Sequence, residues 1–105
     1  MSTVAKFFIG QIIQHNKFGY RGVIFDVDSI FSLSDDWYDQ VTQSHPPKDQ
    51  PWYHVLVDNN YRTTYVAERN LANALDASDI SHPDLGLYFE RYEAGAYRLK
   101  HRPLQ

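Results

Sequence analysis

Asp26, Asp28 and His54 are the residues of this 105-residue chain best suited to chemistry. Side chains two residues apart on a strand share a face roughly 7 Å apart, so the two carboxylates could hold a hard cation or share a proton. His54 would join them if the second and third strands are neighbours. The ordinary alternative is stronger: acids leaving a strand for a loop are solvated or cap a turn, and a strand histidine between Tyr53 and Val55 satisfies a hydrogen bond. His15, His45, His82 and His101 have no metal-ligand spacing. There is no nucleophile elbow, phosphate loop or Gly-rich dinucleotide fingerprint. No catalytic residue, metal or cofactor is expected, and the chain reads as a binder rather than an enzyme.

Binding has better candidates. Lys17, Phe18, Tyr20 and Arg21 set two cations and two aromatics around the first turn, a combination suited to a phosphate backbone or to an acidic, apolar peptide. Aromatics at a turn also serve simply to pack. Trp52, after Pro51, reads as a buried ring whose indole N–H needs a partner. Trp37 and Tyr38 in the long loop, and Tyr88 and Phe89 near the C-terminus, complete the candidate partner-binding set.

The elements that must position these residues are mostly strands. Gly10 to His15 enters a turn at Lys17, Phe18 and Gly19, and Gly22 to Asp28 alternates, with Val23, Phe25 and Val27 on one face and Ile24, Asp26 and Asp28 on the other. Trp52 to Asp58 repeats the alternation. Asn59 and Asn60 tolerate the left-handed backbone of a tight hairpin, and Arg62 to Ala67, rich in Thr, Tyr and Val, follows. With Leu71 closing the end, this predicts a small, bent antiparallel barrel, because closure removes exposed edges. Between the strands, Ser29 to Pro51 is too long for a plain loop. Ser34 as N-cap, Asp35 and Asp36 in the first turn and Trp37, Tyr38 and Val41 on one side predict a short helix over Asp35 to Thr42 that covers an open end of the sheet. Pro83, the spacing of Leu85, Tyr88, Phe89 and Tyr92, and Gly95 as terminator predict a C-terminal helix. Its apolar stripe would dock on this chain's own barrel or on a second subunit.

Composition sets the class. With 43 % apolar residues, a formal charge of −3 and no cysteine, a single domain over 1–105 is expected, with a barrel core over about 6–71 and a helical tail over about 72–105. The absence of cysteine excludes disulfides, thiolate metal sites and thiol catalysis and fits a reducing compartment, so cytoplasm is the expected location. No apolar run approaches the ~18–20 residues that cross a bilayer, and residues 1–14 do not read as a secretory signal. Mild acidity argues against a surface wholly given to nucleic acid. Charge is uneven: Lys6, Lys17 and Arg21 precede any acid, Asp26 to Asp58 is acidic, and Arg98, Lys100, His101 and Arg102 form a basic end.

Taken together, Gly10-Gln11, His15, Phe18-Gly19-Tyr20-Arg21-Gly22-Val23, Asp26-Val27-Asp28, Pro51-Trp52-Tyr53-His54-Val55-Leu56 and Tyr65-Val66-Ala67-Glu68-Arg69-Asn70-Leu71 resemble the bacterial heat-shock HspQ family, also described as YccV-like hemimethylated-DNA-binding proteins. The blocks match in order and spacing from about Lys6 to Leu71. His82-Pro83-Asp84-Leu85 and Tyr88-Phe89-Glu90 are similar to the tail of some branches, and Ser29 departs from a common Pro. The resemblance implies an SH3-like barrel, a role in the heat-shock response, homo-oligomers, binding of hemimethylated origin DNA, and enhancement of substrate specificity in the Lon protease. It brings no catalytic residues.

Two functions follow as expectations. The first is a non-enzymatic regulator that binds Lon or its clients and modulates degradation. The second is a module for hemimethylated DNA. It ranks lower because reading a methylated adenine needs side chains delivered to base edges in the major groove, and no helix here carries basic residues along one face. The C-terminal helix would hold Arg91 beside Asp84, Glu90 and Glu93. A metal-dependent hydrolase built on Asp26, Asp28 and His54 is a distant third.

Overall fold

The structure, a computed structural model, describes residues 4–100. His101 and Arg102 of the basic end lie outside the described residues. Strands β1 (Ile12–His15), β2 (Arg21–Asp28), β3 (Trp52–Val57), β4 (Thr63–Ala67) and β5 (Leu71–Asn73) form one antiparallel sheet in the order β4-β3-β2-β1-β5. A single 3-10 turn, Glu68–Asn70, carries the chain from β4 at one edge to β5 at the other, so the sheet curls into a barrel-like shape. Among the described residues β4 and β5 share no ladder, and the barrel stays open along that seam. The mainly β class and the helix in the long loop agree with the expectation; α1 spans Asp35–Val41, and Ser34 caps it by accepting a hydrogen bond from the Trp37 N–H.

The curled sheet buries two faces. Inside lie Ile13, Ile24, Tyr53, Val55, Val66 and Leu71. On the outer face, Ile12, Val23 and Leu56 are covered by Ile80, Phe89 and Tyr97, while Trp52 and Ala67 are covered by Tyr38. Full burial of a Leu, Ile or Val side chain contributes about 1.5–3 kcal/mol relative to exposure, so β3, apolar on both sides, anchors both layers. The turn after β4 is locked from within. Buried Glu68 accepts hydrogen bonds from the Tyr53 hydroxyl at 2.5 Å and the Lys6 N–H at 2.9 Å. Burial and the neighbouring carboxylate push the Tyr53 phenol up, so it remains a donor.

Strand β2 departs from plain alternation. Its register against β3 shifts between Ile24 and Asp26, which is a β-bulge at Phe25. As a result Val27 joins Ile24 in the inner core, while Phe25 packs with the outer cluster. The expected shared face of Val23, Phe25 and Val27 is therefore broken between Phe25 and Val27.

The C-terminal segment is a second correction. Helix α2 is one turn, Leu85–Tyr88, and Phe89 then enters a hairpin of β6 (Phe89–Glu93) and β7 (Ala96–Leu99). Ala94 and Gly95 both have positive φ, 51° and 85°, as a two-residue turn of type I′ requires. Gly95 thus turns a hairpin instead of ending a long helix. The hairpin docks on the first strand segment: Tyr97 N–H donates to Gly10 C=O at 2.8 Å, and Ala96 bridges Gln11. No helix among the described residues is long and apolar enough to cross a membrane.

Gly10 has φ +95°, and a Cβ there would stand 2.1 Å from the Tyr97 carbonyl oxygen. Gly10→Ala is therefore expected to destabilise the protein by about 3 kcal/mol, a fall in melting temperature on the order of 10–20 °C. Thermal unfolding checks this; an unchanged melting temperature would show that the hairpin does not need this close approach.

Candidate binding groove

The turn between β1 and β2 is held by one imidazole. His15 is 5 % exposed, and its Nδ1 accepts hydrogen bonds from the Lys17 and Phe18 N–H groups, both at 3.1 Å. Two donors on one nitrogen fix the ring as the neutral Nε2–H form. Phe18 stacks on it at 4.6 Å between centroids and is 77 % exposed on its far side. Tyr20 points across to β4, where its hydroxyl meets Thr64 Oγ1 at 2.8 Å. Burial first, and the Lys17 charge second, hold the His15 pKa below the ordinary imidazole value.

The opposite wall is the long loop. Trp52 buries its ring and donates its indole N–H to the Pro47 carbonyl at 3.0 Å. Phe31, Trp37, Tyr38 and Tyr65 surround it, with Tyr65 stacked on Trp52 at 5.3 Å. The Tyr38 hydroxyl donates to the Pro46 carbonyl at 2.7 Å, and Lys48 Nζ sits 4.3 Å from the Tyr38 ring centroid. These rings fasten loop 29–51 to the outer face of the sheet.

Between the two walls runs a groove of about 850 Å³ along β4. Lys17, Phe18 and Tyr20 form one side, Leu33, Trp37 and Val41 the other, and Thr63, Thr64 and Tyr65 the floor. No Asp or Glu lines it, although the chain carries a formal charge of −3. Lys17 and Arg62 stand at this groove, and neither belongs to an ion pair among the described residues.

The structure sorts the expected partner-binding residues. Lys17, Phe18, Tyr20 and Trp37 meet at the groove, whereas Trp52, expected among them, is 1 % exposed and lies beneath it as packing. Tyr38 is buried behind it. Three others serve elsewhere. The Arg21 guanidinium donates to the carbonyls of Asp76, Ser78 and Asp79 and to Asp58 Oδ2 at 3.0 Å, pinning the segment before α2, so its charge is spent internally. Phe89, at 4 % exposure, belongs to the core. Tyr88 stacks on Phe25 at 4.6 Å, on the far side of the outer face. The sequence reading missed Tyr65, Phe31 and Arg62. Tyr65 had one usable signal, its place among β-favouring residues after the Asn59-Asn60 turn, which sets it across from His54.

Asp26, Asp28 and His54 do converge, with one potential ligand atom of each within 4.8 Å of the others. Asp28 Oδ2 is already engaged by His54 Nε2 at 3.1 Å and by the Tyr65 hydroxyl at 2.7 Å. Tyr65 in turn accepts a hydrogen bond from the Ser32 N–H at 3.0 Å. Burial and this carboxylate push the Tyr65 phenol up to about 12, so it stays protonated and braces β4 against the start of the loop. Asp26 is exposed and accepts from the Val27 N–H.

A family model described as hemimethylated DNA-binding protein YccV-like matches residues 5–96. The chain belongs to the YccV-like family. The match covers both walls of the groove and runs as far as the first residue of β7, so this YccV-like unit takes in α2 and the hairpin's first strand as well as the five-stranded sheet.

In this YccV-like chain the turn that presents Phe18 depends on a neutral imidazole. Its folded pKa is lowered, so the unfolded state binds the proton more readily. The His15 contribution is complete above the ordinary value of about 6.5 and drains away as pH falls from there through the lowered folded value. His15→Phe, which keeps a ring but no acceptor, is expected to cost about 1–2 kcal/mol at pH 8. The gap to the parent should narrow toward pH 5, because only the parent loses this contribution. Denaturant unfolding at both pH values checks it, and a constant gap would contradict it.

Proposed function

We propose that this chain is a non-enzymatic module of the heat-shock response, acting in the cytoplasm, that docks a Lon-type protease or its client proteins and thereby modulates degradation. The groove along β4 is the observation that carries the reading. It is concave, aromatic on both walls, free of acids among its lining residues and cationic at Lys17 and Arg62 within an acidic chain. Such a surface suits an apolar, acidic stretch of polypeptide: ring faces supply contact area at low entropic cost, and the two cations select for charge. The residues best placed for acid–base work, Asp28 and His54, are engaged with each other and with Tyr65, which supports a structural use for them.

Binding of hemimethylated DNA is the second reading, favoured by the description of the family and by the same two cations. Its difficulty is delivery. Helix α1 carries Asp35, Asp36 and Asp39 and no base, and α2 is four residues long without a charge, so neither offers a basic face to a major groove.

Adding the purified protein to a Lon degradation assay is expected to change the turnover of some substrates, and Phe18→Ala or Lys17→Glu should weaken the effect several-fold. Unchanged turnover across a panel of substrates would count against the first reading. Titration on hemimethylated, fully methylated and unmethylated duplexes over a range of salt decides the second. A steep salt slope together with separation of the three duplexes would support it, and equal weak binding would reduce it to nonspecific contact.

A further inference from the structure

Strand β4 has an open edge. In an antiparallel pair, residues alternate between those whose N–H and C=O point at the partner strand and those whose groups point away. Val57 N–H donates to Arg62 C=O and Glu68 N–H to Pro51 C=O, both at 3.1 Å, and the register places Val55 opposite Thr64 and Tyr53 opposite Val66. Arg62, Thr64, Val66 and Glu68 therefore face β3, and Thr63, Tyr65 and Ala67 face outward. Among the described residues nothing hydrogen-bonds to the outward N–H or C=O groups of Thr63 and Tyr65, while the Ala67 carbonyl opens the 3-10 turn Glu68–Asn70. Thr63 is exposed and Tyr65 half-buried, whereas Ala67 is 2 % exposed and ends the accessible stretch.

The other edges are closed or blunted. Strand β5 has three residues, β7 is occupied along Gly10 and Gln11, and β6 carries Glu90, Arg91 and Glu93 in mutual ion pairs. Folded proteins protect exposed edges with charge, proline or brevity. Strand β4 has five residues, Thr-Thr-Tyr-Val-Ala, and none of these devices. It forms the floor of the groove, with Tyr20 against the side that carries Thr64 and Trp37 against the side that carries Tyr65, at 5.6 Å between ring centroids.

We propose that the groove takes an extended segment of a partner protein as a sixth strand on β4, hydrogen-bonded to Thr63 and Tyr65, with acidic side chains of that segment drawn to Lys17 and Arg62. This rests on the reading of the groove as a polypeptide-docking site. A polypeptide backbone matches outward N–H and C=O groups at strand spacing, which a nucleic acid does not. The alternate side chains of the added strand fall against Phe18 and Tyr20 on one side and Trp37 on the other. The unpaired cations and the lack of acids in the groove set the charge of the segment.

The test uses the full chain and a fluorescent peptide of roughly nine residues, with a Val-Tyr-Val-Thr centre flanked by Asp and Glu. Three competitors accompany it: the same peptide N-methylated at the two central amides that face β4, a version with Lys flanks, and a hemimethylated duplex. Anisotropy is expected to show N-methylation weakening binding at least about tenfold, as loss of two backbone hydrogen bonds implies, and the Lys-flanked version binding more weakly than the parent. Hydrogen exchange is expected to slow at the Thr63 and Tyr65 amides when the parent peptide binds. Equal binding of parent and N-methylated peptides, protection at β5 in place of β4, or displacement by the duplex alone would overturn the proposal. If N-methylation has no effect while Phe18→Ala still abolishes peptide binding, strand addition fails and the docking site stands. If groove variants leave Lon turnover unchanged, the functional reading fails whatever the peptide does.

Discussion

Burial of β3 on both faces is the condition from which the rest of the structure follows. Tyr53 and Val55 point into the curled sheet, and Trp52 and Leu56 point out of it, yet all four are nearly or wholly inaccessible. A sheet of five short strands can enclose only one of those faces. The outer face must be covered by chain that is not in the sheet, and two separate segments do this. Loop 29–51 brings Phe31, Trp37 and Tyr38 over Trp52, and the C-terminal segment brings Ile80, Phe89 and Tyr97 over Leu56. Function is left to the surface between and beyond these covers.

Each cover is fastened by polar contacts that only its own geometry permits. The Arg21 guanidinium and the Asp58 carboxylate act as one unit: Arg21 holds three carbonyls of the 76–79 stretch, those of Asp76, Ser78 and Asp79, and Asp58 Oδ1 takes the Ser81 N–H at 2.7 Å. His82 repeats the logic of His15, accepting from the Asp84 N–H at Nδ1 while Nε2 lies 2.9 Å from the Arg62 carbonyl. On the loop side, Tyr65, Asp28 and Ser32 form a chain of hydrogen bonds from the sheet to the first residues of the loop. Buried polar groups are satisfied in this way throughout, and no buried side-chain polar atom among the described residues lacks a partner. Satisfied networks fix a single arrangement of each cover, so the groove walls are held in place before any partner arrives.

Much of this was legible in the residues. Alternation in β3, the Asn59 turn with its φ of +57°, and the Ser34 cap with Asp35 and Asp36 behind it all report local preferences that the tertiary structure leaves undisturbed. The bulge at Phe25 was not legible, because an extra residue in one strand is defined only against its partner, and the sequence of β2 alternates across it without a break. The C-terminal hairpin was hidden for another reason. Leu85, Tyr88, Phe89 and Tyr92 fit helical spacing, and a glycine after them suits a helix end or a type I′ turn equally. What decides is docking on Gly10, some eighty residues away in the chain. Arg21 misled in the same manner: beside Tyr20 it resembles a surface cation, and only the return of the chain at Asp76 shows the charge consumed. Of the site, the turn residues and both tryptophans could be read, whereas Tyr65 and the open edge follow from strand order.

The walls on either side of β4 have a consequence for crowded solutions. A bare strand border is ordinarily an invitation to polymerise, since the flat margin of one sheet can lie against that of another. Here Phe18 and Trp37 rise on opposite sides of the strand, like kerbs along a narrow lane. A single extended chain laid on β4 would meet a ring on each side, and the edge of a second folded sheet would have to clear both rings, which disfavours sheet-to-sheet growth along this border.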